Sequence, residues 1–259
     1  MENLLRLEEV TKSFGGLKAV SALSFDVPRN KVKALIGPNG AGKTTVINLI
    51  SGIFPPTAGN ILFKGKSLLK TACHRISRLG LVRTFQNVRL FTNLTVLENV
   101  MVGRHRFLSG EFAACIAKTA AVLAAEKKSR EASMEALELV GLADNAGHLA
   151  GELPFGRQRL LELARAYVTQ PQLLILDEPA AGLSSFERED LAGVIVKLRA
   201  TGITILIVEH DMDLIMSLSD EIVVMEYGTK IAEGSPEQIQ SDPKVIQAYL
   251  GEEDLRAEH

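Results

Sequence analysis

After the short apolar run Val32–Ile36 the chain reads Gly37-Pro38-Asn39-Gly40-Ala41-Gly42-Lys43-Thr44, a complete G-x-x-x-x-G-K-[ST] pattern, and helical spacing follows over Thr44–Ile50. A triphosphate crowds several negative oxygens together. A backbone that wraps them with inward N–H groups needs the close approach and unusual dihedrals of glycine. A helix opening near Lys43 adds the positive end of its dipole. Strand, glycine-rich loop and helix in this order make a phosphate cradle. In it Gly37, Pro38, Asn39, Gly40, Ala41 and Gly42 surround the phosphates. Lys43 neutralises β and γ oxygens, the Thr44 hydroxyl ligates Mg²⁺, and Thr45 hydrogen-bonds the α-phosphate.

A second apolar run, Leu173–Leu176, ends in Asp177-Glu178. Beside a phosphate cradle, Asp177 is placed to reach Mg²⁺ and Glu178 to act as general base on the attacking water. Downstream, helix and strand alternate. Gln158–Thr169, Glu187–Ala200 and Met212–Leu218 read as helices, and Ile203–Val208 and Ile222–Met225 as strands. That alternation builds a mostly parallel sheet covered on both faces. Upstream, Leu4–Val27 alternates apolar and polar residues (Leu5, Leu7; Val20, Leu23, Phe25, Val27), as half-exposed antiparallel strands do. Ile61–Phe63 and Leu81–Phe85 read as further strands. From Thr95 to about Leu142 the chain turns rich in Ala, Glu and Lys with helical spacing at Ala132, Ala136, Leu137 and Val140. Two short helices, Pro236–Gln240 and Lys244–Leu250, close it.

The expectation is an α/β P-loop NTPase (RecA-like) core with an N-terminal antiparallel β subdomain and an inserted α-helical subdomain. Residues 1–92 and 155–259 form the core, and 93–154 form the insert with a signature segment at its end. The 259 residues are 46% hydrophobic and 23% charged, enough to bury a full core. A net charge of -2 points away from nucleic acid and anionic membranes. Cys73 and Cys115 stand in no metal or redox spacing and read as reduced thiols. No basic segment followed by an apolar stretch opens the chain, and no window has the ~18–20 apolar residues of a spanning helix. A cytoplasmic protein that meets membranes through a partner is expected.

With these motifs the sequence resembles the ABC ATPase family over nearly its whole length. The resemblance implies ATP and Mg²⁺ as cofactors and ATP hydrolysis coupled to transport. Phe14, in Lys12-Ser13-Phe14-Gly15, sits where the family stacks an aromatic on adenine, although a core phenylalanine would read the same way. Gln86, in Thr84-Phe85-Gln86-Asn87, matches the glutamine loop that senses Mg²⁺ and water. His210, in Val208-Glu209-His210-Asp211, matches the switch histidine at the γ-phosphate. The implied catalytic set is Glu178, His210, Gln86 and Lys43, and the metal set Thr44, Gln86 and Asp177.

The family's signature, usually L-S-G-G-Q, here reads Leu153-Pro154-Phe155-Gly156-Arg157. By resemblance Leu153, Phe155, Gly156 and Arg157 serve nucleotide held by a second subunit. Pro154 replaces a serine and offers neither hydroxyl nor N–H. Arg157 replaces glutamine and brings a guanidinium able to contact phosphate. Where the family often reads S-A-L-D, this chain has Ala181-Gly182-Leu183-Ser184, and Ser184 with Glu187 forms the S-x-x-E of a capping box. The segment Asn87–Leu94 matches the region that grips a membrane subunit's cytoplasmic helix. Its Val88, Leu90, Phe91 and Leu94 equally suit packing of the insert.

Several stretches resemble the ATPases of branched-chain amino acid importers: Arg83–Phe91, Asp177–Leu183, Glu209-His210-Asp211-Met212, and the tail from Gly234–Ile239 through Ala248-Tyr249-Leu250-Gly251. The implied partners are integral membrane permease subunits, a second ABC ATPase (identical or related) and, indirectly, an external solute-binding protein, with no nucleic acid. The implied location is the cytoplasmic face of the inner membrane, as a peripheral subunit. Alternatives are an ABC ATPase for urea or amides or for lipopolysaccharide export, or a soluble ABC ATPase acting on nucleic acid. A P-loop kinase or GTPase would lack the histidine switch, and no guanine-reading N-K-x-D is present.

Overall fold

The computed structural model describes residues 2–84, 86, 89–104 and 120–249. Phe85, Asn87, Val88, Cys115, Leu250 and Gly251, on which sequence expectations fell, lie outside them. The chain divides into two compact units. One holds the chain up to Arg83, Gln172–Ala180 and the part from Arg199 onward; the other holds Thr84–Pro171 and Ala181–Leu198.

Among the described residues, every strand lies in the first unit. β1 (Asn3–Phe14) and β2 (Leu17–Pro28) pair antiparallel with Leu7 opposite Phe25 and Val10 opposite Leu23. Their alternate side chains, Leu5, Leu7 and Val10 with Val20, Leu23 and Val27, are buried. This is the expected period-2 pattern realised as a sheet with one apolar face. β4 (Ala58–Phe63) and the two-residue β5 (Lys66–Ser67) extend it in the order β2-β1-β4-β5.

The larger sheet runs β10-β9-β3-β8-β7-β6. Its strands are β3 (Val32–Ile36), β6 (Leu81–Arg83), β7 (Leu173–Asp177), β8 (Thr204–Val208), β9 (Glu221–Glu226) and β10 (Thr229–Gly234). All pairs are parallel except the β9–β10 hairpin. Every residue of β3, β7 and β8 is buried, which is why these segments read as largely apolar runs rather than alternating ones. Two of these strands carry a charge, Asp177 at the end of β7 and Lys33 in β3; Lys33 is almost fully buried, and its ammonium is paired with Glu221 on the adjacent β9 and with Glu233 on β10 beyond it. The helix α1 (Lys43–Ile50) buries Val46, Ile47, Leu49 and Ile50 in the core shared by both sheets.

α2 (Cys73–Arg78) and β10 were not anticipated. α2 buries only Ile76, and β10 is an edge strand with no fully buried residue, so neither imposes an apolar period on its sequence.

The second unit is helical. α3 (Val96–Gly103) starts on a capping box in which Thr95 and Glu98 exchange side-chain and backbone bonds. It packs with α4 (Ala120–Leu139) and α5 (Phe155–Tyr167). Gly103 permits this approach, since a Cβ there would lie 2.6 Å from the Arg165 carbonyl oxygen. α6 (Ser185–Ala200) supplies its residues up to Leu198 to the same unit. The expected boundary at 154/155 therefore moves. α5 groups with the helices as far as Pro171, because its buried Leu160, Leu161, Leu163 and Ala164 belong to a helix packed on α3 and α4. α5 also starts three residues before the expected Gln158.

Candidate nucleotide site

In the first unit, the carboxyl ends of adjacent parallel strands carry the chemistry, the position where open α/β sheets bind ligands. β3 runs into Gly37, β7 ends at Asp177, and β8 leads to Glu209 and His210. Register sets them side by side: Val208 is paired with both Leu35 and Asp177.

The loop after β3 needs glycine at two points. At Gly37 (φ +148°) a Cβ would fall 2.0 Å from the Met225 carbonyl oxygen, and at Gly42 (φ +98°) 2.5 Å from that of Ala19. Only a residue without Cβ lets the loop lie between the β9 end and β2. Gly42 then caps α1 in a left-handed conformation. An open pocket of about 400 Å³ follows the loop. Asn39, Gly40, Ala41, Gly42, Lys43, Thr44 and Thr45 line it, together with Leu17–Ala19, Tyr227-Gly228 and Glu178. The Lys43 ammonium donates to the carbonyls of Gly37 (2.5 Å) and Pro38 (2.9 Å), so the cation is held against the loop's own mouth.

Glu178 reaches this pocket from a left-handed backbone (φ +46°). Its N–H donates to the Val208 carbonyl at 2.8 Å, which fixes the turn. A non-glycine residue there costs about 1–3 kcal/mol, a strain typical of working sites. Asp177 is buried beside it. Its Oδ2 accepts from Arg83 Nη2 at 2.8 Å, and Arg83 Nη1 donates to Asn48 of α1 at 2.7 Å.

Glu209 is also buried. Its Oε1 accepts from the Ala180 N–H and its Oε2 from the His210 N–H, both at 2.8 Å. The carboxylate thus ties the turn after β8 to the turn after β7. The same Oε2 lies 3.3 Å from His210 Nδ1, a contact that favours the tautomer with the proton on Nδ1. The His210 side chain is 66% exposed. Among the described residues, Asp177, His210 and Phe14 do not line the pocket. Phe14 meets Phe54 edge-on at 5.3 Å, with the Lys12 ammonium over both rings.

In the second unit Gln86 is exposed, and its carbonyl oxygen accepts from the Arg159 guanidinium. Leu153 is buried and Pro154 is the N-cap of α5. Phe155 is 46% exposed. The Gly156 N–H donates to Glu187 Oε1 at 3.2 Å, and Arg157 Nη1 to the Gly141 carbonyl at 3.1 Å. Ser184 and Glu187 form the anticipated capping box, with Ser184 N–H and Oγ donating to Glu187 Oε2 at 2.9 and 2.7 Å. The Ser184 backbone and hydroxyl bonds, then that from Gly156, hold the Glu187 carboxyl below its ordinary range.

Sequence reasoning did not find Arg83, Asn48, Glu209, Tyr227 or the 17–19 segment. The donor set suits magnesium. Thr44 and Asp177 offer hard oxygens, and a Mg²⁺ that keeps waters and phosphate oxygens needs only one or two protein ligands. No cluster of three or more His, Cys, Asp or Glu exists among the described residues. No helix among the described residues is long and apolar enough to cross a membrane.

Comparisons with known proteins agree with this geometry. Residues 20–181 match the family described as ABC transporter, and residues 229–254 match that described as branched-chain amino acid ATP-binding cassette transporter. The high-affinity branched-chain amino acid transport ATP-binding protein BraF of Pseudomonas aeruginosa is 47% identical over 96% of this chain and 98% of its own. The LivG protein of the same description from Escherichia coli is 44% identical at the same coverage. Among solved structures, the ADP conformation of an ATP-binding cassette of an ABC transporter superposes with a TM-score of 0.84 at 32% identity, covering 97% of this chain and 100% of that one. A nucleotide-free cassette gives 0.82 at 32% identity, covering 96% and 99%.

Proposed function

The chain belongs to the ABC transporter family of ATP-binding cassettes, and from that premise we propose that it is the ATP-hydrolysing subunit of an importer for branched-chain amino acids. The observation that carries the catalytic part is the pocket itself. The glycine loop with Lys43 and Thr44 lines it, and Glu178 lines the same pocket. The solute rests on the relatives named above and on the match of residues 229–254.

ATP would lie along the loop with its phosphates against the backbone N–H groups of Gly40–Thr45 and the N-terminus of α1. Lys43 would exchange the two loop carbonyls for β and γ oxygens. Thr44 and Asp177 would hold Mg²⁺, and the ion would neutralise charge on the phosphates. Glu178 takes the proton of the attacking water. His210, its Nδ1 side occupied by Glu209, turns Nε2 toward the γ-phosphate. Phe14 serves the adenine.

Two cassettes would face head to tail, with Leu153, Phe155, Gly156 and Arg157 of each meeting nucleotide on the other. Loss of the γ-phosphate then removes the attraction that closes them. The permeases, a second cassette and an external binding protein complete the complex on the cytoplasmic face of the membrane. Co-expression with adjacent permease genes, followed by purification and reconstitution in vesicles, tests the assignment. ATP turnover with uptake of labelled leucine supports it. Turnover without uptake of leucine, isoleucine or valine removes the solute, and failure to bind ATP at all removes the activity.

A further inference from the structure

The mechanism above leaves unused a largely covered charge beside the acids. Arg83 sits at the end of β6, 10% exposed, and its planar guanidinium reaches two elements at once. One nitrogen donates to Asp177 Oδ2 on β7 and the other to Asn48 Oδ1 on α1. Asn48 lies four residues after Thr44, on the same face of the same helix. The guanidinium therefore spans the hydroxyl-bearing helix and the carboxylate-bearing strand end. Stability alone gives little reason for such a group, since apolar replacement of a buried ion pair is often neutral or better. Lysine could not substitute for it, because a single ammonium lacks the rigid fork that meets two acceptors.

We propose that Arg83 is a positioning residue for Mg²⁺: with Asn48 it fixes the Asp177 carboxylate at a set orientation toward the helix that bears Thr44. With Oδ2 engaged by Arg83, the carboxylate would keep Oδ1 for the metal. This inference rests on the Mg-ATP reading of the pocket.

The test titrates the purified chain with a fluorescent ATP analogue, in excess Mg²⁺ and in EDTA, and titrates Mg²⁺ at fixed nucleotide. The variants are Arg83→Lys, Asn48→Ala, and Arg83→Lys combined with Asp177→Asn. Circular dichroism checks each fold. Arg83→Lys is expected to raise the Mg²⁺ needed for half-saturation about 10–100-fold, the usual effect of removing an outer-shell partner. Asn48→Ala shifts it in the same direction by less. Affinity in EDTA stays that of the parent, and Arg83→Lys adds nothing to Asp177→Asn. Equal losses with and without Mg²⁺, no loss, or additivity with Asp177→Asn overturns the proposal. If the parent itself fails to bind Mg-ATP, the nucleotide reading falls as well, so the two failures are told apart.

Discussion

Glu187 gives one carboxylate oxygen to the backbone N–H of Gly156 at the start of α5, and the other to the N–H and hydroxyl of Ser184 at the start of α6. A single side chain thus satisfies the first turns of two helices. Its carboxyl is held below the ordinary 4.5, first by the Ser184 backbone bond, then by the hydroxyl and by Gly156. A depressed carboxyl contributes stability that is present above the unfolded-state pKa and lost as pH falls through the lower folded-state value. Glu187→Gln should therefore melt below the parent near neutral pH. The gap should narrow steadily once the pH drops under about 4.5. A gap in melting temperature that is constant from neutral to acid pH would show that the charge has no part in it.

Gly156→Ala strikes the same contact from the other side. An added Cβ would sit 2.4 Å from Glu187 Oε1, so the carboxylate must swing away and release Gly156, Ser184 or both. The expected loss is about 1–2 kcal/mol, that of a helix cap. In the Glu187→Ala background the clash is gone, and the same substitution should be much milder. A double-mutant cycle by urea denaturation measures this coupling.

Glu178→Gln keeps the size and the strained φ of +46° but removes the base. Nucleotide affinity should stay close to the parent, while single-turnover hydrolysis slows by about 10²–10⁴-fold, the range for a positioned general base. Turnover within twofold of the parent would take Glu178 out of the reaction.

Lys43→Ala deletes the cation now resting on the Gly37 and Pro38 carbonyls. A hydrogen bond to a charged group is worth about 1.5–3 kcal/mol, so ATP affinity should fall by about 10–150-fold. The fold should persist, because the ammonium lies at the pocket wall and packs no core. Equilibrium binding and circular dichroism on the same sample check both halves.

How far these residues could be read without the structure depends on how local their demands are. The glycine loop was legible because its sterics fall within eight consecutive residues, and Asp177-Glu178 because an apolar strand precedes them directly. The Ser184–Glu187 box was legible for the same reason, being one turn of helix. Arg83 was not, since its partners lie 35 and 94 residues away: the β6–β7 register brings it to Asp177, and the placement of α1 brings it to Asn48. Glu209 looked like one more acid before a histidine until the fold set Ala180, 29 residues earlier, against it. The start of α5, three residues before Gln158, follows directly on Pro154, its N-cap. Its missing N–H suits a helix start, where that donor would have no partner within the helix.

Pro154 caps α5 without a side-chain hydrogen bond, so nothing at that position reaches outward from the helix end. A serine there would place a hydroxyl at the start of α5 within reach of the N3 donor, the Arg157 N–H, since the Gly156 N–H already goes to Glu187, and Ser is a favoured N-cap in its own right. Pro154→Ser should therefore act twice. Capping raises the stability of the isolated chain by about 0.5–2 kcal/mol, read as a higher urea midpoint. The added bond to a charged phosphate strengthens ATP-dependent association by about tenfold or more, from about 1.5–3 kcal/mol. Light scattering of the Glu178→Gln and Pro154→Ser/Glu178→Gln chains with ATP measures the second effect separately. A higher urea midpoint with an unchanged dimer fraction would leave Pro154 a helix-end residue and withdraw the cross-subunit contact at that position.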